Sequence, residues 1–289
     1  MTIITIEEHP FAQFVRILGK GKRGARSLTR EEAAQAMGML LDRQTEDSQL
    51  GAFLMLLRHK EESAEELAGF ADAVRSRLHP PALQVDLDWP SYAGKKRHLP
   101  WYLLAAKALA GSGIRILMHG GGLHTAGRLY SEQLLEMLEI PLCSDWPGVA
   151  DALEQQKLAF IPLGCWMPEL QRMIDLRNIL GLRSPIHSLA RILNPLQARC
   201  VLQSIFHPGY QAVHRDASQL LGDNVIVIKG EGGEIEVNPD SACQLLGSSA
   251  QGVWSEDWPA MSAQRHVKPE RLEPEKLLSV WHGQANDDY

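Results

Sequence analysis

The sequence predicts an α/β protein in which a small N-terminal helical domain precedes a mostly parallel sheet covered by helices. Apolar residues recur at helical spacing through the first eighty residues, and short apolar runs then alternate with helical stretches. Alternation of strand and helix is typical of parallel sheets. Pro80-Pro81 cannot continue a helix and lies at the change of pattern. We therefore expect a helical domain over 1–80, with 168–185 packing on it, and an α/β domain over 81–289.

Helix-terminating and helix-initiating residues divide the N-terminal domain into four predicted helices. The first begins its apolar face at Phe11, and Gly19 is placed to end it. A Ser/Thr-x-x-Glu capping box begins the second helix at Thr29 and the fourth at Ser63. Between them, the nearly all-apolar stretch 49–58 is expected at the centre of the bundle.

The pattern beyond Pro81 predicts five strands and five helices. The strands are expected at 83–87, 114–118, 159–163, 201–206 and 225–229, and the helices at 99–111, 130–139, 148–157, 168–181 and 209–221. The last forty residues have weak periodicity, so no element is assigned there. Their tryptophans are interpreted as packing anchors: Trp254, Trp258 and Trp281.

Composition excludes several classes of protein. A hydrophobic content of 45% and a charged content of 22% are ordinary for a globular domain. The apolar runs are shorter than a membrane span, and the N-terminus lacks the pattern of a secretory signal. The four cysteines lie far apart without a CxxC motif, which argues against a disulfide framework or a zinc site. We therefore expect a cytoplasmic protein with no membrane partner and no bound metal.

Charge is strongly segregated along the chain. Three stretches, 9–30, 89–131 and 176–215, contain no Asp or Glu, yet they hold 17 of the 29 Lys and Arg residues of a chain whose net charge is −6. We call them the acid-free stretches. If the fold brings them together, the protein presents a positive face that attracts phosphates, nucleotides or nucleic acid. If they lie on different faces, the segregation indicates no binding site.

Two basic segments within these stretches are candidates for phosphate binding. In the segment 19–26, small residues alternate with Lys20, Lys22, Arg23 and Arg26, so the backbone could approach a phosphate chain closely. The segment 91–98 follows the first predicted strand, where open parallel sheets bind ligands, and it supplies Lys95, Lys96 and Arg97. The alternative for both segments is a solvated basic loop. Three nearby aromatic residues could stack on bases: Tyr92, Trp101 and Tyr102. For Trp101 and Tyr102 the alternative is packing of the helix.

A glycine-rich turn closes the second predicted strand at 118–124. Its three glycines could form a backbone nest for an anion, or a plain tight turn. The eleven histidines show no metal-ligand spacing, and no Ser-His-Asp or Cys-His arrangement is visible. The sequence therefore offers no catalytic residue by motif alone.

Several segments resemble one known family. The runs 28–33, 47–54 and 65–69 are similar to a family's helical N-terminal domain, and 177–184, followed by Asn194-Pro195, looks like its Arg-x-x-Leu-Gly-x-Arg-Thr segment and Asn-Pro turn. His119-Gly120 matches the His-Gly of its Lys-His-Gly-Asn loop. The family is the anthranilate phosphoribosyltransferase-like proteins, or glycosyl transferase family three. Over roughly residues 25–240, the resemblance implies a nucleoside phosphorylase/phosphoribosyltransferase-like fold and a homodimer formed through the helical domain.

The resemblance fails at the residues that serve catalysis in that family. The donor loop, Gly-Thr-Gly-Gly-Asp-Gly in the family, is here 90–95, with a tyrosine and a lysine and no acid. The paired Asp-Glu that positions magnesium appears as Ile235-Glu236, and one carboxylate makes a poor magnesium site. Arg177 remains at the position that contacts the aromatic acid. The resemblance thus implies these residual substrate-site positions: Ser91, His119, Gly120, Arg177 and Glu236.

These losses resemble a divergent second branch of the family, in which the enzyme scaffold binds nucleic acid as a dimer. We expect a protein without catalytic residues or cofactor, binding nucleic acid with weak sequence specificity because phosphate contacts carry little sequence information. The phosphate contacts are assigned to Lys20, Lys22, Arg23, Arg26, Lys95, Lys96 and Arg97, with Arg128, Arg183 and Arg191 as weaker candidates. The alternative is a transferase that uses magnesium and a phosphoribosyl pyrophosphate-type donor with an unknown acceptor. A third interpretation is a scaffold that binds a protein partner through its acidic surface.

Overall fold

A helical bundle forms the N-terminal part of the computed structural model, which describes residues 7–122 and 124–289. Its four helices are α1 (Ala12–Gly19), α2 (Arg30–Leu41), α3 (Asp47–Lys60) and α4 (Ala64–Arg75). Both predicted capping boxes are complete: the Thr29 hydroxyl accepts from the Glu32 amide and the Ser63 hydroxyl from the Glu66 amide. Side-chain oxygens at these positions satisfy amides that the helix itself leaves free.

The closest contact in the bundle joins α2 to α4 at Gly69. A Cβ at this position would lie 2.2 Å from the Arg30 carbonyl oxygen, so only glycine permits the approach. The centre of the bundle is aromatic, with edge-to-face contacts of Phe53 with Phe11 and Phe70. The four helices of the bundle are therefore tightly packed, and the rest of the chain can pack against them.

The second part of the chain is a seven-stranded sheet with the order β3-β2-β1-β4-β5-β6-β7. The first five strands are mutually parallel, and the last two run antiparallel to their neighbours. The strands are β1 (Leu87–Ser91), β2 (Ile116–Gly120), β3 (Leu158–Pro162), β4 (Cys200–Ile205), β5 (Val225–Lys229), β6 (Cys243–Ser249) and β7 (Gly252–Trp258). The fold class predicted from the sequence is thus confirmed.

Helices cover both faces of this sheet. They are α5 (Tyr102–Gly111), α6 (Trp146–Gln156), α7 (Leu163–Trp166), α8 (Pro168–Asp175), α9 (Arg177–Leu180), α10 (Ile186–Leu189), α11 (Tyr210–Leu221) and α12 (Glu275–Trp281). One hydrophobic core is continuous from the bundle to the sheet face that α8, α10 and α11 cover. A second core lies on the opposite face, under α5 and α12. Within the described ranges, every helix is too short or too polar to cross a membrane.

Two sequence-based element predictions were wrong, and one region left unassigned contains regular structure. The strand predicted at 83–87 lies at Leu87–Ser91 and contains Pro90, which is tolerated because β4 pairs with only the first two residues of β1. The helix predicted at 130–139 is a 3₁₀ turn over Ser131–Gln133 followed by turns, although its leucines are buried. The unassigned C-terminal region contains β7 and α12, and β6, directly before it, was not predicted either.

Candidate functional site: an arginine-lined cleft

A cleft of about 310 Å³ lies between the helical bundle and the carboxyl end of β4. Its walls come from the last turn of α3, the residues before and within α10, and the residues that follow β4. Five arginines line it, while Glu62 supplies a single carboxylate among the described lining residues. The arginines are Arg58, Arg128, Arg177, Arg183 and Arg191. We refer to this site as the arginine cleft.

The arginines of the cleft bond to neutral oxygens. Arg128 Nη1 donates to the carbonyl oxygens of Ala93, Gly94 and Gly232 at 2.8–3.1 Å. The remaining bonds run from Arg177 to the His124 carbonyl at 2.7 Å, from Arg183 to the Thr125 hydroxyl at 3.3 Å, and from Arg191 to the His187 carbonyl. Across 7–122 and 124–289, none of these guanidinium groups forms a salt bridge. The Glu234 carboxylate attracts Arg191 from beyond salt-bridge distance. The charge of the other arginines is available to a ligand.

Burial and mutual repulsion make this charge unfavourable in the free protein. Burial, followed by the repulsion of Arg191 and Arg128, lowers the pKa of Arg183 to about 10. Burial lowers the pKa of His124 to about 4, and burial with neighbouring cations lowers the pKa of His187 well below its usual range. At neutral pH Arg183 is still charged, whereas His124 and His187 are neutral. An anion in the cleft would relieve the repulsion.

Several buried polar atoms at the cleft lack a hydrogen-bond partner among the described atoms. They are Glu62 Oε2, Arg177 Nε, Ser184 Oγ and His187 Nε2. The side chains of Glu62, Ser184 and His187 are at least nine-tenths buried. Buried polar groups are nearly always paired in folded proteins, so a group of unpaired atoms lining one cleft indicates a place for a ligand.

The loop after β1 contrasts with the cleft, because its polar groups are satisfied from within the chain. Glu234 Oε1 accepts hydrogen bonds from the Ala93 and Gly94 amides at 2.7 and 2.6 Å. Lys95 is fully buried and forms a salt bridge with Glu236, whose second oxygen accepts from the Tyr102 amide at 3.1 Å. Burial raises the pKa of Glu234 and of Glu236.

Comparison with known proteins places the fold. A family model described as "Glycosyl transferase family, helical bundle domain" matches residues 14–78. The chain is 27% identical to the uncharacterized protein YbiB of Escherichia coli K12 over 241 residues, covering 81% of this chain and 75% of that protein. It is 30% identical to the anthranilate phosphoribosyltransferase of Anaeromyxobacter dehalogenans 2CP-C over 209 residues, covering 71% of this chain and 62% of that enzyme.

Solved structures agree with these sequence matches. The anthranilate phosphoribosyltransferase TrpD from Thermus thermophilus superposes with a TM-score of 0.77 at 22% identity, over 97% of this chain and 84% of that one. The chain belongs to the anthranilate phosphoribosyltransferase-like glycosyl transferase family. The resemblance seen in the sequence is thereby confirmed. The loop after β1 lies where the sequence resemblance places the family's donor loop, and we refer to it by that name.

The residual substrate-site residues form a packed region rather than an open site. The Tyr92 hydroxyl lies 2.7 Å from His119 Nδ1, and His119 Nε2 lies 3.2 Å from an Asp88 oxygen, with all three side chains buried. The Ser91 hydroxyl contacts Ser131 at 2.7 Å. At Gly120, a Cβ would lie 2.6 Å from the Ser91 carbonyl oxygen, so this glycine serves strand packing. Arg177 alone of the residual positions lines the arginine cleft.

Two sequence predictions for this region were wrong. Lys95 was expected to be exposed on a phosphate-binding segment, but it is buried because Glu236 pairs with it. Tyr92 was considered for base stacking, but its ring is fully buried beneath the Arg191 guanidinium, 5.9 Å from the ring centroid. Tyr102 is also buried. The proposed nest at 118–124 begins inside β2, with its first three residues buried, and Leu123 lies outside the described residues.

The other predicted phosphate-binding residues are exposed at two separate places. Lys20, Lys22 and Arg23 are free of salt bridges in the described part of the chain, whereas Arg26 pairs with Glu32. This loop lies at the end of α3 that also carries Arg58, because Lys60 donates to the Ser27 hydroxyl at 3.0 Å. We call 20–26 the rim loop.

Lys96 and Arg97 are exposed next to a segment near the C-terminus. The neighbouring His98 ring stacks on Tyr289 with centroids 3.8 Å apart.

The acid-free stretches do not form one continuous positive face. Arg115 and Arg199 precede β2 and β4, at the opposite edge of the sheet from the cleft, and pair with Glu154 and Asp86. The fold does bring Arg128, Arg183 and Arg191 together with Arg177. Arg128, Arg183 and Arg191 were the weaker candidates for phosphate binding. They are nevertheless better placed to bind an anion than the other candidates, because their side chains line the same cleft and, among the described residues, none forms a salt bridge.

Sequence reasoning missed several cleft residues. Arg58 ends an apolar helix and Glu62 is an ordinary polar residue, so nothing in the sequence singled them out. Ser184 closes the segment 177–184 that carries the family resemblance, but it was given no role. Phe206 and Tyr210 follow β4, and the rule that parallel sheets bind ligands beyond the carboxyl ends of their strands could have identified them. That rule was applied only after the first strand.

Proposed function

We propose that this chain is a non-catalytic, cytoplasmic nucleic-acid-binding protein built on a phosphoribosyltransferase fold. The observation that carries the proposal is the convergence of Arg128, Arg177, Arg183 and Arg191 on one cleft without carboxylate partners. The exposed rim loop extends the positive surface from the same end of α3. Clusters of unpaired cations attract the phosphates of a nucleic acid backbone, which supply affinity without reading sequence.

The donor loop supports the non-catalytic part of the proposal. Backbone amides that could bind a pyrophosphate are occupied by Glu234, and Lys95 neutralises Glu236, the carboxylate that the family resemblance assigns to magnesium. Among the described residues, no three His, Cys, Asp or Glu side chains are grouped as a metal site. The residues present therefore do not fit magnesium with a phosphoribosyl pyrophosphate donor at the family's position.

A homodimer formed through the bundle belongs to the same proposal. Four large apolar residues of α3 are buried within the chain, and Met55 and Leu56 are partly buried. Beside α3, Ile179 and Leu182 are 81% and 56% exposed. Leu180, between them, lies 3.9 Å from the position of a Cβ on Gly51 of α3. A second copy would cover this apolar surface in an isologous interface, which is the commonest kind. It would also place two arginine clefts on one particle.

Salt dependence of binding, compared between two charge-matched variants, tests the proposal. The test variant is Lys22→Ala with Arg23→Ala in the rim loop. Its control is Arg115→Ala with Arg199→Ala, which also removes two cations but lies at the far end of strands that span roughly 20 Å. Fluorescence anisotropy with a single-stranded and a double-stranded oligonucleotide, from 50 to 200 mM salt, measures both affinity and its salt slope.

The rim-loop variant and its control are expected to differ in the salt dependence of their binding. If 6–10 phosphates are neutralised, affinity of the unaltered protein falls about 10³–10⁵-fold over this salt range. The rim-loop variant should have a slope lower by roughly 1.4–1.8, the contribution of two phosphate contacts. The control should bind like the unaltered protein. Binding that ignores salt, or equal losses in the two variants, would contradict the proposal.

The alternative function is phosphoribosyl transfer to an unknown acceptor. Its support is the family membership, together with Arg177, which retains the family's aromatic-acid position and has an unpartnered Nε at the cleft. Turnover of phosphoribosyl pyrophosphate in the presence of magnesium and an acceptor distinguishes this alternative from the first proposal.

A further inference from the structure

The arginine cleft has features that simple backbone binding does not require. A strand lying on the protein surface needs exposed cations, such as those of the rim loop. Arg191 is only 7% exposed, and Ser184 and His187 are 6% and 4% exposed, so the inner wall of the cleft lies beyond the reach of such a strand. A ligand that contacts these residues has to enter the cleft.

The charge of the cleft suits an anion with more than one negative charge. Arg128, Arg177, Arg183 and Arg191 face the space together with Arg58, while burial raises the pKa of Glu62 and so favours its neutral form. An internal phosphodiester carries one negative charge. A phosphate monoester carries about 1.5–2 negative charges at neutral pH and three acceptor oxygens. It would therefore balance more of the arginine charge than any internal phosphate of a strand.

The unpartnered atoms require a ligand with both acceptors and donors. Ser184 Oγ and Arg177 Nε can donate to phosphate oxygens. His187 Nδ1 lies 3.1 Å from the Ser184 carbonyl and must donate to it, so the neutral ring presents Nε2 as an acceptor. In inorganic phosphate the donors and acceptors all lie on one small tetrahedral group, whereas the unpartnered atoms belong to several residues along the cleft. A nucleotide satisfies both needs, because its sugar hydroxyls and base amino groups donate.

An aromatic surface lies beside these groups. Phe206 follows β4, is 51% exposed, and packs edge-to-face with His207 at a centroid distance of 4.9 Å. Both residues line the cleft. Exposed aromatic rings bind bases by stacking without sequence preference. The volume of about 310 Å³ is at the small end for ligand pockets and suits one nucleotide unit rather than a continuous strand.

We propose that the arginine cleft binds the phosphorylated end of a nucleic acid strand, as one nucleotide with a terminal phosphate monoester. The phosphate lies among Arg177, Arg183, Arg191 and Ser184, and the base lies against Phe206. The remaining phosphates of the strand lie on the exposed cations of the rim loop. This inference rests on the proposed function and adds to it a recognised chemical group.

End preference is the first measurement. Anisotropy at one fixed salt concentration compares a single-stranded oligonucleotide with a 5′-phosphate, the same strand with a 3′-phosphate, and the strand with hydroxyls at both ends. At least one phosphorylated strand should bind roughly 10- to 100-fold more tightly, as charge-assisted hydrogen bonds would give. Equal affinity for all three strands overturns the inference while leaving the proposed function intact.

Variants locate the preference in the cleft. Ser184→Ala and, separately, Arg183→Gln should weaken binding of the phosphorylated strand by a larger factor than binding of the hydroxyl-ended strand, and so reduce the preference for the phosphorylated end. Arg199→Gln, on the far edge of the sheet, is the control and should retain the preference. Thermal unfolding checks that each variant is folded. If Arg183→Gln does not fold, Ser184→Ala decides, and an unchanged preference in it overturns the assignment to the cleft.

Binding of mononucleotides tests the cleft independently of strand binding, and so distinguishes a failure of this inference from a failure of the proposed function. Calorimetry compares adenosine 5′-monophosphate, adenosine and inorganic phosphate binding to the unaltered protein. Binding of the monophosphate well above both of the others supports the cleft assignment, even if no oligonucleotide binds and the proposed function fails. Binding of adenosine or inorganic phosphate as tight as that of the monophosphate, or no binding of the monophosphate, overturns the inference.

Discussion

Charged side chains of the donor loop are paired with other groups of the chain, whereas the arginines of the cleft form no salt bridge among the described residues. In the donor loop, Lys95 pairs with Glu236, and Glu234 accepts from two backbone amides. In the cleft, the arginines bond only to carbonyl and hydroxyl oxygens among the described residues, and nearby polar atoms have no partner. A charge that is already paired stabilises the fold, whereas an unpaired one is available to a ligand. Under the proposed function, the ligand therefore binds at the cleft and not at the donor loop.

The largest expected effect concerns catalysis. We predict no steady turnover of phosphoribosyl pyrophosphate with anthranilate and magnesium, because the loop that would hold the pyrophosphate is filled by Glu234 and Lys95. Loss of such positioning and electrostatic groups typically lowers rates by about 10² or more per group. A coupled assay of pyrophosphate release, with a relative that carries the intact donor loop as positive control, measures this. Turnover at a rate usual for enzymes would show that the donor loop still binds phosphoribosyl pyrophosphate, and would refute the prediction.

The second prediction removes the paired charge of the donor loop. Lys95→Ala leaves the Glu236 carboxylate nearly buried without its cation and should lower the free energy of unfolding by roughly 3–5 kcal/mol. Lys95→Met with Glu236→Gln removes both charges, retains much of the volume, and should lose considerably less. Urea unfolding at neutral pH measures both. Equal losses in the single and double variants would show that the pair does not act as a unit.

A third prediction concerns pH and the neutral histidines around the cleft. Burial lowers the pKa of His214 to about 3 and that of His124 to about 4, so the unfolded chain binds protons that the folded chain does not. The stability from their neutral forms is complete above the unfolded pKa near 6.5, and it is lost as pH falls toward the folded values. We expect the free energy of unfolding to fall by about 2–3 kcal/mol between pH 6.5 and 4 through His214.

His214→Gln tests this assignment. The substituted amide can still bond to Gln203, which His214 Nδ1 contacts at 2.9 Å, but it does not titrate. Urea unfolding at intervals of pH should give a flatter profile for this variant than for the unaltered protein. Identical profiles would place the acid sensitivity in other groups, such as His187, whose pKa burial also lowers well below its usual range.

The smallest expected effect concerns Lys96 and Arg97. Both are exposed, so Lys96→Ala with Arg97→Ala should leave the free energy of unfolding within about 0.5 kcal/mol of the original value. Nucleic acid affinity should fall modestly, and less than in the rim-loop variant, because these residues lie apart from the cleft and beside Tyr289. A larger loss than in the rim-loop variant would move the binding surface toward the C-terminal region.

The sequence predicted the fold well because its main signals are local. Capping at Thr29 and Ser63 and the apolar run at 225–229 depend on neighbouring residues, and the structure reproduces them. Predictions failed where distant residues decide the outcome. Lys95 looks like an exposed cation until Glu236, far along the chain, is placed beside it.

The same reason explains the partial success at the site. The acid-free stretches identified Arg128, Arg183 and Arg191, but no local pattern shows that they converge with Arg58 of the bundle. The function of the cleft depends on chain segments that meet only in the folded state.

The outermost strand of the sheet, β7, carries Glu256 and Asp257 as exposed side chains. Its free edge could otherwise pair with the same edge of another molecule, and charged side chains on edge strands oppose such aggregation. The same carboxylates repel polyanions. If the protein binds nucleic acid as proposed, this margin should repel the strand and so bias the orientation in which it first meets the protein.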